Sequence, residues 1–148
     1  MQTVREIIEK SGGFRRLKET PIRIDNEPHM PIVIEYLGKT GFNKSDRFRV
    51  MQLEEKDGRI LRDIEIYFEC MPDGSRWRPV VWHSEMDGEK RFVYVPYEVN
   101  DGRILTVINL DEMRLLQKRA DVWDEDVFAL GYLEATPETR QGNLFEAI

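Results

Sequence analysis

The chain has 148 residues, 41% of them hydrophobic and 34% charged, with a formal net charge of -6. This is the size and composition of one globular domain with one core, and the acid excess leaves no basic footprint for direct binding of DNA or RNA. The single cysteine, Cys70, excludes an internal disulfide framework and a cysteine zinc site.

No apolar run is long enough to span a membrane, and no charged-then-apolar leader opens the chain, so a cytoplasmic protein without membrane contact is expected. Thr3 and Glu6 have capping-box spacing, and Val4, Ile7 and Ile8 form the apolar stripe of a short N-terminal helix. Ser11-Gly12-Gly13 stops it. Phe14 and Leu17 then flank Arg15, Arg16 and Lys18, read as a solvated face, with a phosphate or acidic-partner contact as the alternative. Residues 19–30, with Pro21, Asp25, Asn26 and Pro28, read as irregular. Pro31 to Leu37 reads as a strand buried on both faces. Gly38-Lys39-Thr40-Gly41 lies in the following loop and lacks the spacing and the helix of a phosphate-binding loop.

Residues 47–110 carry four turn signals, Asp57-Gly58, Asp73-Gly74, Asp87-Gly88 and Asp101-Gly102, between runs rich in Val, Ile, Phe, Tyr and Trp. A three-residue loop Lys56-Asp57-Gly58 pairs Val50 with Ile64 and Phe48 with Ile66. A two-residue loop would set Arg49 against Ile66 and Leu53 against Arg62. The first register matches apolar to apolar and is preferred. The same loop length at Pro72-Asp73-Gly74 pairs Ile66 with Val80 and Ile64 with Trp82. At Met86-Asp87-Gly88 it pairs Trp82 with Phe92 and Val80 with Tyr94, and at Asn100-Asp101-Gly102 it pairs Tyr94 with Ile108 and Phe92 with Leu110. These residues, with Phe68, define one core face. The other face holds Leu61, Asp63, Glu65, Tyr67 and Glu69 on one strand, but Val81, Val93, Val95, Leu105 and Val107 on later ones. Strands apolar on both sides need a second cover, either an N-terminal segment or another copy in a homodimer through this face.

Asn109 and Glu112 have capping-box spacing, and Met113, Leu116, Ala120, Trp123, Val127 and Leu130 form one helical stripe, predicting a helix over 110–130 that Gly131 ends. Asp121, Asp124, Glu125 and Asp126 have the wrong sign for its C-terminal half, so it either ends early or has basic partners there. From Thr136 the chain turns polar. The expected organisation is an α+β domain over 1–135 and a flexible tail over 136–148. The domain is an antiparallel meander of about six strands with a long C-terminal helix on one face and a short N-terminal helix.

The standard catalytic spacings are missing, and His29 and His83 are the only histidines. Asp63, Glu65 and Glu69 share a strand face next to His83. Such carboxylates could hold a metal or share a proton, which would make a small metal-dependent hydrolase using Asp63, Glu65 and His83. The preferred reading is a solubilising face partnered by Arg49 and Arg91, in a chain with neither cofactor nor metal that is not an enzyme.

Gly13-Phe14-Arg15-Arg16-Leu17, Met30-Pro31-Ile32-Val33-Ile34-Glu35, Leu61-Arg62-Asp63-Ile64-Glu65-Ile66 and Gly131-Tyr132-Leu133-Glu134 together resemble a family of small bacterial proteins of unknown function, over roughly residues 12 to 135. That family is carried on plasmids, integrative elements and phages. The resemblance implies a mobile-element setting and a bacterial cytosol, and supplies no activity and no functional residue. Gln141-Gly142-Asn143-Leu144-Phe145 resembles the sliding-clamp-binding peptide of bacterial polymerases and repair proteins. That resemblance implies Gln141 in a small polar pocket of the replicative clamp and Leu144 and Phe145 in the adjoining apolar one. It departs from the commonest pattern at Gly142, where Leu is frequent. The alternative for the tail is that Leu144, Phe145 and Ile148 fold back over the apolar patch around Val93 and Val107. The expected function is a non-enzymatic accessory or interaction module.

Overall fold

The structure is a computed structural model that describes residues 1–39, 44–71 and 76–138. Two helices, α1 (Gln2–Lys10) and α2 (Gly13–Glu19), precede six strands: β1 (Ile22–Asn26), β2 (His29–Lys39), β3 (Asp46–Lys56), β4 (Arg59–Cys70), β5 (Trp77–Ser84) and β6 (Glu89–Phe92). A hairpin of β7 (Tyr94–Glu98) and β8 (Ile104–Ile108) follows, then α3 (Leu110–Ala129) and the single turn α4 (Tyr132–Ala135). Strands β1 to β6 form one antiparallel sheet in chain order, and β7–β8 is a separate two-stranded sheet. The expected α+β class and six-stranded antiparallel sheet are present. No helix among the described residues is long and apolar enough to cross a membrane.

Alternation along the strands collects Ile22, Ile24, Ile32, Ile34, Phe48, Val50, Ile66, Phe68 and Trp82 into one core with Val4, Ile7, Ile8 and Leu17 of α1–α2 and Leu116, Ala120, Trp123 and Val127 of α3. Trp123 also donates its indole N–H to Gln52 on β3 at 2.8 Å. At one end Trp77 meets Phe14 and Phe48 edge-on, with ring centroids 5.5 and 4.6 Å away, while Phe48 stacks on Phe68 at 5.1 Å.

Several expectations are corrected. Residues 22–26 are a strand, because Ile22 and Ile24 alternate into the core opposite Ile34 and Ile32. The prolines do not prevent it: Pro21 precedes the strand, Pro28 lies in the turn, and Pro31 sits where the pairing shifts between Ile24 and Asn26. The Thr3–Glu6 capping box does not form, because α1 starts at Gln2, two residues earlier than a Thr3 cap requires, and Thr3 is buried inside its first turn. The β3–β4 turn is the two-residue loop Asp57-Gly58, with φ of 53° and 76°. It opposes Leu53 to Arg62, the alternative set aside on sequence. A bulge at Asp63 then restores apolar matching, with Phe48 opposite Phe68 and Val50 opposite Ile66. Pro72-Asp73-Gly74 lies outside the described residues. The strands it joins pair Ile66 with Trp82, two residues from the expected partner, which preserves the faces.

At the next turn the difference matters. The loop is Glu85-Met86-Asp87-Gly88, so Trp82 faces Arg91, and Phe92 pairs with Val81 on the opposite face, 52% exposed. The core face ends there. The chain leaves the sheet at buried Val93, and Tyr94 pairs with Ile108 as read, but in the separate hairpin. Leu110 and Leu130 at the ends of α3 are exposed and lie outside the core. Asn109 caps α3 by accepting the Glu112 N–H at 3.1 Å, while the Glu112 carboxylate takes Arg91 at 2.7 Å instead of closing the box. Gly131, with φ of 85°, ends the helical run. Thr136 is buried and donates its hydroxyl to the Tyr132 carbonyl, so packed structure extends to the residue at which the tail was expected to begin.

Candidate functional site

Alternation places Glu35, Arg47, Arg49, Glu65, Tyr67, Glu69, Val81, His83, Lys90 and Phe92 on the second face of the sheet. At its centre is Glu65, 1% exposed, between Met51 on β3 and His83 on β5. Arg49 bridges Glu35 and Glu65, the latter at 3.2 Å, and lies over the Tyr67 ring. Arg62 reaches Glu65 at 3.1 Å and Glu85 at 2.6 Å, and His83 Nδ1 lies 3.4 Å from Glu65. Burial opposes ionisation of Glu65, but the Tyr67 hydroxyl, Arg62 and Arg49 outweigh it and hold the carboxyl below its usual range. Its lone pairs are therefore taken up by guanidinium and phenol donors, which makes it a buried counter-ion.

The structure brings Glu65 and His83 together but places Asp63 elsewhere. Burial and the charges of Glu54 and Asp87 raise the Asp63 carboxyl. Asp63 is the extra residue of the bulge, and its partners are other acids rather than Glu65 or His83. Arg49 partners the acidic strand as read, whereas Arg91 pairs with Glu89 and Glu112. Among the described residues no group of three or more His, Cys, Asp and Glu is placed to hold a metal ion.

Glu69, 2% exposed, accepts a 2.5 Å hydrogen bond from the Tyr94 hydroxyl and lies 3.6 Å from Arg47. Burial first, and then Glu69, push the Tyr94 phenol up. This bond ties the root of the β7–β8 hairpin to the sheet. Beside it, Arg47, Tyr67, Val81, His83, Lys90, Phe92 and Tyr94 line a cleft of about 380 Å³. It has a cationic rim and aromatic walls, above carboxylates already neutralised from within the sheet.

Beyond the root the hairpin leaves the body of the domain. Val95, Tyr97, Ile104, Leu105, Val107 and Ile108 are all exposed, Ile104 by 71%. Two-sided apolarity signalled that these strands need a cover, but the strand pattern did not show that they leave the sheet. Gln141, Leu144 and Phe145 lie outside the described residues.

Residues 2–133 match a family described as a domain of unknown function (DUF6908), and the chain belongs to that family. No curated protein and no solved structure matches the chain.

Proposed function

We propose that the chain is a non-enzymatic accessory or interaction module of a bacterial mobile element or phage, working in the cytoplasm. In this reading the folded domain of residues 1–135, with its long helix against the sheet, displays a binding surface, and the tail of residues 136–148 is a tether. The observation that carries the proposal is the β7–β8 hairpin, which displays large apolar side chains outside the core. The engagement of Glu65 by Arg49 and Arg62 supports it, because the buried carboxylate of β4 is used to hold the sheet together.

The tail gives the module an address. Gln141, Leu144 and Phe145 are the anchors of a clamp-binding peptide, and a polar segment with few anchors binds a preformed groove with micromolar affinity because it is ordered on binding. Fluorescence anisotropy with a labelled peptide of residues 136–148 and purified replicative sliding clamp tests this. The expected dissociation constant is on the order of 1–50 µM, lost when Leu144 and Phe145 are replaced by Ala. No binding up to about 300 µM rejects the clamp as the address.

The contact between His83 and Glu65 favours one competing reading, the metal-dependent hydrolase of Asp63, Glu65 and His83. Calorimetry with zinc or manganese decides against the module if it shows micromolar binding that Glu65→Gln abolishes.

A further inference from the structure

We infer that β8 is the pairing edge of a symmetric homodimer, in which β8 of two copies joins antiparallel about Thr106 to make a four-stranded sheet. The inference rests on reading the hairpin as an interaction surface and names its partner.

The backbone shows which edge is open. Val99 donates to the Arg103 carbonyl at 2.9 Å and Asn109 to the Val93 carbonyl at 2.8 Å, so residues 99/103 and 93/109 are hydrogen-bonded pairs. Such pairs alternate along an antiparallel ladder. Val95/Val107 and Tyr97/Leu105 are therefore bonded pairs as well, and Ile104, Thr106 and Ile108 turn their N–H and C=O groups away from β7. On the other edge the outward positions are Tyr94, Pro96 and Glu98. Pro96 has no N–H and Glu98 is charged, two devices that block strand addition. Ile104-Leu105-Thr106-Val107-Ile108 has neither, and no described strand pairs with its outer side.

The sequence of that edge is self-complementary. With Thr106 on the two-fold axis, Ile104 faces Ile108 of the second copy and Leu105 faces its Val107. Every cross-strand pair is then apolar to apolar or Thr to Thr. Asp101 and Arg103 neutralise each other at the tip, and Glu98 lies on the outer strand, away from the axis. A lone two-stranded hairpin is marginal in water, and among the described residues the hydrogen bonds that tie this one to the sheet lie at its root. Its exposed apolar side chains, Val95, Tyr97, Ile104, Leu105, Val107 and Ile108, present on the order of several hundred Å².

Sedimentation equilibrium of the full chain from about 1 to 100 µM reads the dimer directly. Thr106→Pro removes the outward donor without touching the hairpin's own ladder, and is expected to weaken the dimer at least about tenfold with an unchanged far-ultraviolet spectrum. Leu105→Lys with Val107→Lys sets like charges opposite and should give a monomer, whereas Leu105→Lys with Val107→Glu should restore the dimer. A dimer that survives both Thr106→Pro and the double Lys variant overturns the inference. So does a monomeric chain, and hydrogen exchange at the Ile104, Thr106 and Ile108 amides then separates two failures. Fast exchange leaves the hairpin a free surface for another partner. Slow exchange released by Leu144→Ala and Phe145→Ala means that the tail covers it, and the interaction-surface reading fails as well.

Discussion

Asp124, on α3, caps a helix other than its own: one carboxylate oxygen accepts the Thr3 N–H and the other the Val4 N–H, each at 3.0 Å. Of the acidic run that has the wrong sign for the end of α3, this contact explains Asp124. Asp124 is buried against the positive end of α1. Asp124→Ala leaves two buried donors without acceptors and is expected to cost about 1–3 kcal/mol. Asp124→Asn, which keeps one acceptor, should cost less. Chemical denaturation gives the magnitude, and faster hydrogen exchange confined to the Thr3 and Val4 amides would identify the cause.

Trp82 lies opposite Ile66 in the core, with the Arg119 guanidinium 5.5 Å from its ring centroid. Trp82→Ala should destabilise by about 3–5 kcal/mol, the usual cost of emptying a large aromatic site. Arg119→Ala should cost much less, since Arg119 is partly exposed and its other partner, Glu89, retains Arg91. An unfolding midpoint unchanged by Trp82→Ala would mean that β5 presents the wrong face to the helices.

The Asp57-Gly58 turn separates conformational strain from packing. Both residues have positive φ, and a Cβ added at Gly58 would meet nothing within 4 Å. Gly58→Ala is therefore expected to cost about 1 kcal/mol from backbone conformation alone, and Asp57→Asn to be neutral or slightly stabilising. Thermal unfolding checks both, with an expected fall of about 2–6 °C for Gly58→Ala.

The faces of the first strands were legible because strand period survives errors in loop length. The β4–β5 pairing differs from the reading by two residues and still puts Ile66 and Trp82 on one side. What sequence pattern could not show was a bulge: Asp63 absorbs one residue and reconciles a two-residue turn with apolar pairing. Nor could it show where a meander stops being one sheet. Tyr94 and Ile108 pair as read, but one four-residue turn upstream had already moved Phe92 to the other face. In the site, Glu65 and Glu69 were identifiable by alternation, whereas Asp63, grouped with them by the same pattern, is displaced by the bulge. The burial of the two glutamates was not legible, because the same pattern describes a solvated face. The partnership of Glu65 with Arg49 depends on the register, and that with Arg62 on side chains from the hairpin end of β4.

Glu65 and Asp63 lie two residues apart on one strand and respond to acid in opposite senses. The Glu65 carboxyl is held below its usual range in the folded state, so its contribution is fully present above the unfolded value of about 4.3 and is lost as pH falls through the folded value. Glu65→Gln leaves Arg49 and Arg62 undercompensated and should cost about 2 kcal/mol at pH 7. That is below the 3–5 kcal/mol of an isolated buried pair, because Glu35 and Glu85 remain as partners. The gap between wild type and Glu65→Gln should shrink as pH falls from 6 to about 3. Asp63 has its carboxyl raised by burial and by Glu54 and Asp87, so folding favours its protonated form and its charge is destabilising above the folded value. Asp63→Asn should therefore stabilise the protein slightly at pH 7 and lose that advantage near pH 3. Urea denaturation of the three proteins at both pH values separates the carboxylates. A Glu65→Gln variant as stable as wild type at pH 7, or a wild type no more acid-sensitive than the variant, would mean that Glu65 is not the ionised centre of the network. The buried counter-ion assignment, and the support it lends to a non-enzymatic role, would then fail.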